Sequence, residues 1–435
     1  VAEFLADLLD NVEVVVHSDC DTDPGARRED RFPEIAQRGA DDRARQFSLR
    51  TRTNADSVYA ASDQFPDELD DLPGAALRAL TRLTRSASAS DLVYPSVTRA
   101  LHEVIIAEVI ADRLARRPSG SFALDDMVGM VADTLDYFTE LAATSLEARP
   151  VTHGVVIAAD RRGLEPISPP VRYPGQLPTR KRTPLLFDGT QSALIVATSG
   201  EVLRSIGRDS LPAVSDDAPG IAAFDDFSGL DGSLTAAASA SFRGIGIYLR
   251  ADRSIWIFDH GRPLFIRRTT KWKSIAFNSF TRAVTTLGAT GQSIGERVAR
   301  AALRLSMQGQ GAVLAVVPDS SDLDGIVQPT ARAQLHHPGL PGSVDDDLRR
   351  LLTPEDLASS GGLARLARLD GATIIDTTGH VVAYGAIVQH ADSRGEGART
   401  TAARALSEVA NVTLSVSQDG PITVFHEGEA ALELL

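Results

Sequence analysis

The sequence predicts a mixed α/β protein, α+β overall, with a helical N-terminal region, a β-rich middle and a C-terminal domain built on a mixed sheet. Three patterns support this prediction. Apolar residues recur every three or four positions in residues 101–114 and 124–146, short β-rich runs between turns follow, and strand and helix patterns alternate from about residue 290. Because 435 residues exceed one compact core, we expect three regions, 1–150, 151–285 and 290–435.

The N-terminal region is predicted to be helical in its second half. Apolar residues in 101–114 and 124–146 lie three and four positions apart, which places them on one face of each helix. Two such faces are enough to pack helix on helix.

The middle region is predicted to consist of short strands joined by turns. Residues 251–253 and 260–261 have the composition of hairpin connections. Residues 209–240 are rich in Asp, Gly, Ser and Ala and are predicted to form a long loop or insertion. The predicted strands cover residues 151–159, 192–198, 244–250, 254–259 and 262–268.

The C-terminal region is predicted to fold as helix, strand, hairpin, helix and hairpin. Residues 294–307 have the apolar spacing of an amphipathic helix, and a glycine-containing loop then leads into a buried strand. The predicted hairpins cover residues 373–388 and 412–425, and residues 402–409 form the helix between them.

The composition excludes several classes of protein. A net charge of −14 disfavours nonspecific binding to nucleic acid. The single cysteine, Cys20, rules out an internal disulfide and a multi-cysteine zinc site and fits a reducing cytosol. No apolar run reaches the roughly 18 residues of a membrane span, and the first residues lack a signal-peptide pattern. We expect a cytoplasmic protein that binds neither nucleic acid nor membrane.

Two motifs in the C-terminal region resemble those of the diadenylate cyclases. Asp370-Gly371-Ala372, at the start of a strand, matches the family's Asp-Gly-Ala motif in full. Gly397 opens a partial match to the family's Gly-Thr-Arg-His-Arg motif at a helix start. In this second motif Ala398, Arg399, Thr400 and Thr401 stand where the family has Thr, Arg, His and Arg.

The resemblance extends over roughly residues 290–435 and implies a DisA-like nucleotide-binding domain. Residues 416–420 are more similar to the DACNV-type relatives, proposed to be nucleotide sensors, than to the enzymes, which favour an acidic pair there. The DACNV-type relatives are linked with bacterial conflict and defence systems. The resemblance therefore implies a role in signalling or antiviral defence.

The residue types of the second motif suit a phosphate group. Gly397 and the amides that follow it present backbone N–H groups at the positive end of a helix dipole. Arg399 can donate two parallel hydrogen bonds to phosphate oxygens, whereas Thr400 and Thr401 each offer one uncharged hydroxyl. Binding of a nucleotide is retained in this interpretation, while stabilisation of developing charge is weakened.

The resemblance also implies roles for individual residues. Asp370 is implied to lie beside a ribose 3′-hydroxyl and a Mg²⁺ or Mn²⁺ ion, with Gly371 and Ala372 next to it. The hydroxyl would attack the α-phosphate of an ATP on a facing subunit, which requires a homo-oligomer. Val388 is implied to press on an adenine face. Ser415 and Ser417 are candidate nucleotide contacts on the polar face of a strand.

Each of these residues has a second interpretation that the sequence leaves open. Asp370 also fits a turn residue at the start of a strand, and Arg399 fits a solvated residue at a helix N-terminus. Ser415 and Ser417 fit an exposed strand face, and Val388 fits core packing.

The sequence therefore supports a leading function and an alternative. The leading hypothesis is a sensor that binds a nucleotide or cyclic dinucleotide and relays its occupancy to other domains or to a separate effector protein. The alternative is an active diadenylate cyclase that makes cyclic di-AMP from two ATP with a divalent metal. A third hypothesis is a structural protein whose pocket is empty.

Overall fold

The computed structural model describes most of the chain from residue 95 onward and parts of what precedes it. Cys20 lies outside the described residues, as does the part of the predicted loop that covers 212–231. The described residues are the strands Val14–Ser18 and Asp56–Ala60, residues 71, 72, 75, 76, 78 and 79, and the ranges 95–117, 123–146, 149–161, 163–177, 182–211, 232–268, 271–318, 323, 326–327, 359–389 and 397–434.

The chain divides into two compact units, Val1–Ile275 and Ala276–Leu435. Their described residues form eight helices and seventeen strands, most of the latter in two mixed sheets. The predicted α/β fold class is confirmed. None of the described helices is both long and apolar enough to cross a membrane.

The first unit contains four helices and eleven strands within its described residues. Strands β1 and β2 pair with each other, as do β3 and β4. In chain order, the elements are β1 (Val14–Ser18), β2 (Asp56–Ala60), α1 (Pro95–Ala115), α2 (Leu124–Ala142), β3 (Ser145–Leu146), β4 (Arg149–Pro150), β5 (His153–Ala158), α3 (Thr183–Leu186), β6 (Ser192–Ala197), β7 (Val202–Gly207), α4 (Ser233–Ser241), β8 (Ile245–Leu249), β9 (Ile255–Asp259), β10 (Arg262–Arg268) and β11 (Lys271–Ser274).

The main sheet of the first unit has the strand order β11-β10-β9-β8-β5-β6-β7, and only β5 and β6 run parallel. Helices α1 and α2 pack on one face, where Ile110 and Phe138 join Ile157 in one core. Helix α4 packs on the other face, where Leu234 lies against Val156. The predicted helices and the predicted strands of this unit therefore share a core.

Helix α4 corrects one sequence prediction, because residues up to 240 were expected to form a loop. All nine of its residues are buried, and all but two are Ala or Ser. Since no polar face remains, the sequence lacks the apolar period by which a helix is recognised. Small side chains let the helix lie close to the sheet. A Cβ on Gly246 of β8 would be 2.8 Å from the Thr235 carbonyl oxygen.

The second unit contains the predicted C-terminal elements and three that were not predicted, α5, α7 and β17. Its elements are α5 (Phe277–Leu287), α6 (Gln292–Met307), β12 (Ala312–Val317), α7 (Ser360–Leu366), β13 (Ala372–Asp376), β14 (Val381–Ala386), α8 (Ala398–Leu406), β15 (Val412–Val416), β16 (Ile422–His426) and β17 (Glu429–Leu434).

The sheet of the second unit has the order β14-β13-β12-β15-β16-β17, with β12 and β13 parallel and the other neighbours antiparallel. Helix α8 lies on one face, where Ala403 and Leu406 pack with Val313 and Ala315. Helix α6 packs against β12, β15 and β16. The central strand β12 is buried along its whole length.

Candidate functional site

The residues of both motifs lie at one edge of the second sheet. Val313 of β12 pairs with Ala372 of the parallel strand β13 and with Ser415 of the antiparallel strand β15. The start of β12, the start of β13 and the end of β15 therefore meet at the same edge. Asp370 and Gly371 precede β13 at this edge, so strand register alone brings the Asp-Gly-Ala motif close to Ser415.

Gly371 shapes this edge because no other residue fits its position. Its φ is +105°, and a Cβ there would lie 2.5 Å from the carbonyl carbon of Gly385 in β14. A side chain would therefore be strained in its backbone conformation and would collide with the neighbouring strand. The glycine lets β13 start against β14 and leaves Asp370 at the rim.

Asp370 is exposed and forms no hydrogen bond or ion pair with the described residues. No described residue therefore competes with a ligand for its carboxylate. Among the described residues, no group of three or more His, Cys, Asp or Glu side chains is placed to hold a metal ion. A divalent cation at this edge would have one protein carboxylate, with its other oxygens from phosphates and water, as Mg²⁺ commonly has.

Among the residues that the structure describes, none covers the N-terminus of α8. Gly397 is its N-cap, in an extended conformation with no side-chain cap, and the first amide bonded to its carbonyl is that of Thr401 at 3.0 Å. The amides of the first turn therefore lack helical partners. A Cβ on Gly397 would meet nothing within 4 Å, so the described residues leave space in front of these amides.

Arg399 lies across the start of β12. A Cβ on Gly311 would be 2.4 Å from Nη1 and 2.6 Å from Cζ of Arg399, so the guanidinium rests directly on the glycine backbone. Arg399 is exposed and forms no ion pair among the described residues. Gly311 was not predicted as a site residue. The one signal available was a glycine directly before a buried strand, and its role depends on a residue 88 positions later.

The other predicted residues of the helix motif differ in exposure. Ala398 is exposed and Thr400 is half-buried in the first turn. Thr401 is buried, and its hydroxyl donates to the Gly397 carbonyl oxygen at 3.2 Å. This hydroxyl is therefore used within the helix, while Thr400 is the residue beside Arg399 that remains at the opening.

The remaining predicted residues lie on the floor and the flanks of this edge. Ser415 is 6% exposed and faces the α8 side of the sheet, like its neighbour Val313. The Ser417 hydroxyl accepts a hydrogen bond from the Asp419 amide at 3.2 Å in the turn before β16. Val388 is buried in the core and forms an isolated bridge with Val327, which matches the packing interpretation.

A hydrogen-bonded carboxylate lies at the opposite edge of the second sheet. Asp376 ends β13, and burial would raise the pKa of its carboxyl. Hydrogen bonds from Thr378 and from the His380 amide nevertheless hold that pKa below its usual range. The Arg297 guanidinium donates to the Gly379 carbonyl in the same turn. These hydrogen bonds fix the turn between β13 and β14.

The first unit also contains buried charges, and these are paired. Arg113 contacts Asp71 at 2.7 Å and Asp259 at 2.8 Å, and Arg117 also contacts Asp259. Burial raises the pKa of the Asp259 carboxyl, but its His260 hydrogen bond and the two arginines lower it well below its usual value. A network that neutralises its own charges is a structural feature and leaves none for a ligand.

Comparisons with known proteins add little to this description. No protein-family model matches the chain, and no curated protein matches it. One of the solved structures that match part of it is the crystal structure of DacA from Staphylococcus aureus, in a double cysteine mutant. The match covers 33% of this chain and 87% of DacA, with 21% identity and a TM-score of 0.21. A TM-score this low assigns no function to the chain.

Proposed function

We propose that the second unit binds a nucleotide or cyclic dinucleotide and that the protein acts as a sensor of that ligand. The observation that carries this proposal is the position of Arg399. Its guanidinium lies on Gly311, at an open helix N-terminus, on the edge where the exposed carboxylate of Asp370 also lies.

Phosphate fits this combination of groups. Free amides at a helix start and the positive end of the helix dipole attract an anion, and a Cβ on Gly397 would meet none of the described residues within 4 Å. Arg399 would add a charge-assisted contact, because a guanidinium can donate two parallel bonds to phosphate oxygens. Thr400 would donate a single hydroxyl bond beside it.

Sensing is favoured over catalysis because the site offers few cations. Phosphoryl transfer depends on positive groups that neutralise charge as it develops. Threonines stand at the two positions where the resembling enzymes have His and Arg, and the Thr401 hydroxyl is bonded to its own helix. Loss of one preorganised contact of this kind costs about 3–4 kcal/mol of transition-state stabilisation. Binding requires less charge than turnover does.

A second candidate function is diadenylate cyclase activity, favoured by the carboxylate of Asp370, which is exposed and has no partner among the described residues. A Mg²⁺ or Mn²⁺ ion would neutralise phosphate charge and lower the pKa of a hydroxyl bound to it. Asp370 would hold that ion and orient the hydroxyl of a bound ATP. Two such sites would have to face each other, so this function includes a homo-oligomer.

The sensor needs an output, for which we propose a separate effector protein in a bacterial signalling or defence system. A ligand can shift an effector only if it binds two states of the sensor with different affinity. Contacts of the ligand with Arg399 and Asp370 would be the ones that differ between two such states.

The test combines turnover and binding. The purified protein is incubated with ATP and Mg²⁺ or Mn²⁺ and the products are chromatographed, and cyclic di-AMP is titrated in parallel. We expect no cyclic product, saturable binding, and a loss of binding of tenfold or more in Arg399→Ala. Arg282→Ala, an exposed arginine of α5, is the matched control.

Two outcomes would contradict this assignment. Metal-dependent formation of cyclic di-AMP that disappears in Asp370→Asn would establish the cyclase instead. Binding that is unchanged in Arg399→Ala would remove the observation on which the proposed site rests.

A further inference from the structure

The two main sheets have the same connectivity. In each unit a helix pair precedes a central strand, β5 or β12. The next strand, β6 or β13, runs parallel to the central one and continues into a hairpin, and a nine-residue helix then leads to an antiparallel strand on the other side. Further antiparallel strands follow in both units. The chain thus contains one arrangement twice.

Strand register makes the correspondence residue by residue. The strand after the nine-residue helix starts opposite Ile157 in the first sheet and opposite Val316 in the second. Three residues back along the central strand, Gly154 pairs with Tyr248 and Val313 pairs with Ser415. Tyr248 and Ser415 therefore hold the same position in the two sheets.

Short identities in sequence support this register. Ile195 pairs with the residue two positions after Gly154 on the central strand, and Ile374 pairs with the residue two positions after Val313. Ala193-Leu194-Ile195 therefore corresponds to Ala372-Thr373-Ile374. Phe258 and Phe425 also correspond, because each is paired two positions before Tyr248 or Ser415.

The flanking loops correspond as well. Both nine-residue helices have a glycine N-cap, Gly232 in the first unit and Gly397 in the second. An Asp-Gly pair precedes the parallel strand in each, Asp188-Gly189 and Asp370-Gly371, with φ of +76° at Gly189 and +105° at Gly371. The first unit therefore has counterparts of the glycine N-cap and of the Asp-Gly pair, with Leu234 at the helix position of Arg399.

In the first unit this edge is filled by the Tyr248 ring. A Cβ on Gly232 would lie 2.3 Å from Cδ1 of Tyr248, and a Cβ on Gly189 would lie 2.5 Å from Cδ2. The ring is thus held between two backbones that only glycines allow. It is 1% exposed, and its hydroxyl is 3.4 Å from Oγ1 of Thr190.

The loop and the helix also meet directly around the ring. The Thr235 hydroxyl of α4 donates to the Gly189 carbonyl oxygen at 3.1 Å. A Cβ on Gly154 would lie 2.3 Å from the Cα of Gly189. These contacts hold the loop and the helix against each other, whereas a Cβ on Gly397 would meet none of the described residues within 4 Å.

We propose that the first unit is a divergent second copy of the nucleotide-binding unit, in which the Tyr248 ring permanently takes the place of a ligand. Each chain then takes up one nucleotide, at the second unit. The inference that Tyr248 fills this edge is independent of the proposed function, whereas the ratio of one nucleotide per chain rests on it. The slot that Tyr248 fills accepts a flat phenolic ring, so a free phenol is the ligand class it would take if the side chain were removed.

The first arm of the test uses p-cresol, the side-chain analogue of tyrosine. We expect Tyr248→Ala to melt several degrees lower than the wild type, and millimolar p-cresol to raise its Tm while leaving the wild-type Tm unchanged. If Tyr248→Ala does not fold, Tyr248→Ser refolded with and without p-cresol gives the same readout as yield. A folded variant that p-cresol leaves unchanged overturns the proposal of a ring-shaped slot.

The second arm counts ligands by equilibrium dialysis of labelled cyclic di-AMP against the wild type. We expect one per chain and a tenfold or greater loss of affinity in Arg399→Ala. Two per chain would overturn the closed first copy while leaving the proposed function in place. No binding at all would overturn the proposed function and the ratio of one nucleotide per chain. The p-cresol experiment would then test on its own whether Tyr248 fills a ring-shaped slot.

Discussion

The two units share a strand order, but the corresponding edges of their sheets differ. In the first unit the edge beside the central strand is closed by Tyr248, and in the second unit the corresponding edge has Ser415 on its floor and an open helix N-terminus above it. The connectivity therefore does not decide whether a site exists. In our proposal, one strand position and the glycines around it decide whether the edge can bind a ligand.

The difference also has an energetic side. Full burial of a large apolar side chain stabilises a protein by about 1.5–3 kcal/mol, and Tyr248 contributes this to the first unit. The second unit lacks this stabilisation because a serine stands at that position, and helix amides and Arg399 have no partners among the described residues. An edge that is under-stabilised in this way has polar groups left to bind a ligand.

The largest effect is expected from a matched pair of glycine substitutions. Gly232→Ala would force a Cβ into the Tyr248 ring at a φ of +84°, and we expect a loss of about 3 kcal/mol in stability. Gly397→Ala meets open space at a φ of −64° and should change stability by about 1 kcal/mol or less. Both tryptophans, Trp256 and Trp272, lie in the first unit, so urea unfolding followed by their fluorescence reports it selectively.

For the second unit, hydrogen exchange of α8 amides measures the change in stability caused by Gly397→Ala. Equal losses in the two variants would show that the two edges do not differ in packing.

A second expected effect is a loss of stability in the first unit as the pH falls from 6.5 towards 4. His153 starts β5, where β12 has Ala312. Burial lowers the pKa of His153 to about 4, although its bond to the Phe187 carbonyl raises it. The neutral ring also contacts the Tyr173 hydroxyl at 2.9 Å.

The sign of this effect follows from proton uptake on unfolding. Because unfolded His153 binds a proton that the folded state excludes, its contribution is complete above pH 6.5 and is lost as the pH falls towards 4. The expected loss is on the order of 3 kcal/mol, from about 1.4 kcal/mol per pKa unit. Urea unfolding of wild type and His153→Gln by tryptophan fluorescence isolates it. If the free energy of unfolding of His153→Gln falls with pH as steeply as that of the wild type, the acid sensitivity belongs to other groups.

The smallest expected effect tests how Arg399 is held. Gly311→Ala would displace the guanidinium from the start of β12, and we expect affinity for cyclic di-AMP to fall about tenfold, or about 1.4 kcal/mol. Gly291→Ala is the control, because a Cβ there meets nothing within 4 Å. Calorimetric titration measures both. Equal affinities in the two variants would show that the Gly311 contact does not position Arg399 for binding.

Regular periodicity explains which parts of the fold were predictable. The apolar spacing in α2 and α6 and the turn residues of the C-terminal hairpins gave their positions to within a few residues. Helix α4 was missed because burial on all sides leaves no period. The duplication was also hidden, since it is carried by strand register and leaves only short identities such as Ala193-Leu194-Ile195 and Ala372-Thr373-Ile374.

The same distinction applies to the site. Asp370 and Arg399 stand out in sequence because motifs at a strand start and a helix start have local patterns. Gly311 and Tyr248 act through contacts with residues far along the chain, at Arg399 and at Gly189 and Gly232, and nothing local marks them. The sequence therefore indicates the charged groups of a site more readily than the glycines and rings that open or close it.

The most direct test of the account transfers the tyrosine of the first unit to the second. Cyclic di-AMP is titrated into the wild type and Ser415→Tyr, with Ser415→Ala as the control, and hydrogen exchange of α8 verifies that each variant is folded. The account predicts that Ser415→Tyr retains its fold and loses affinity at least tenfold, while Ser415→Ala binds within a few-fold of the wild type. Wild-type affinity in a folded Ser415→Tyr would contradict it.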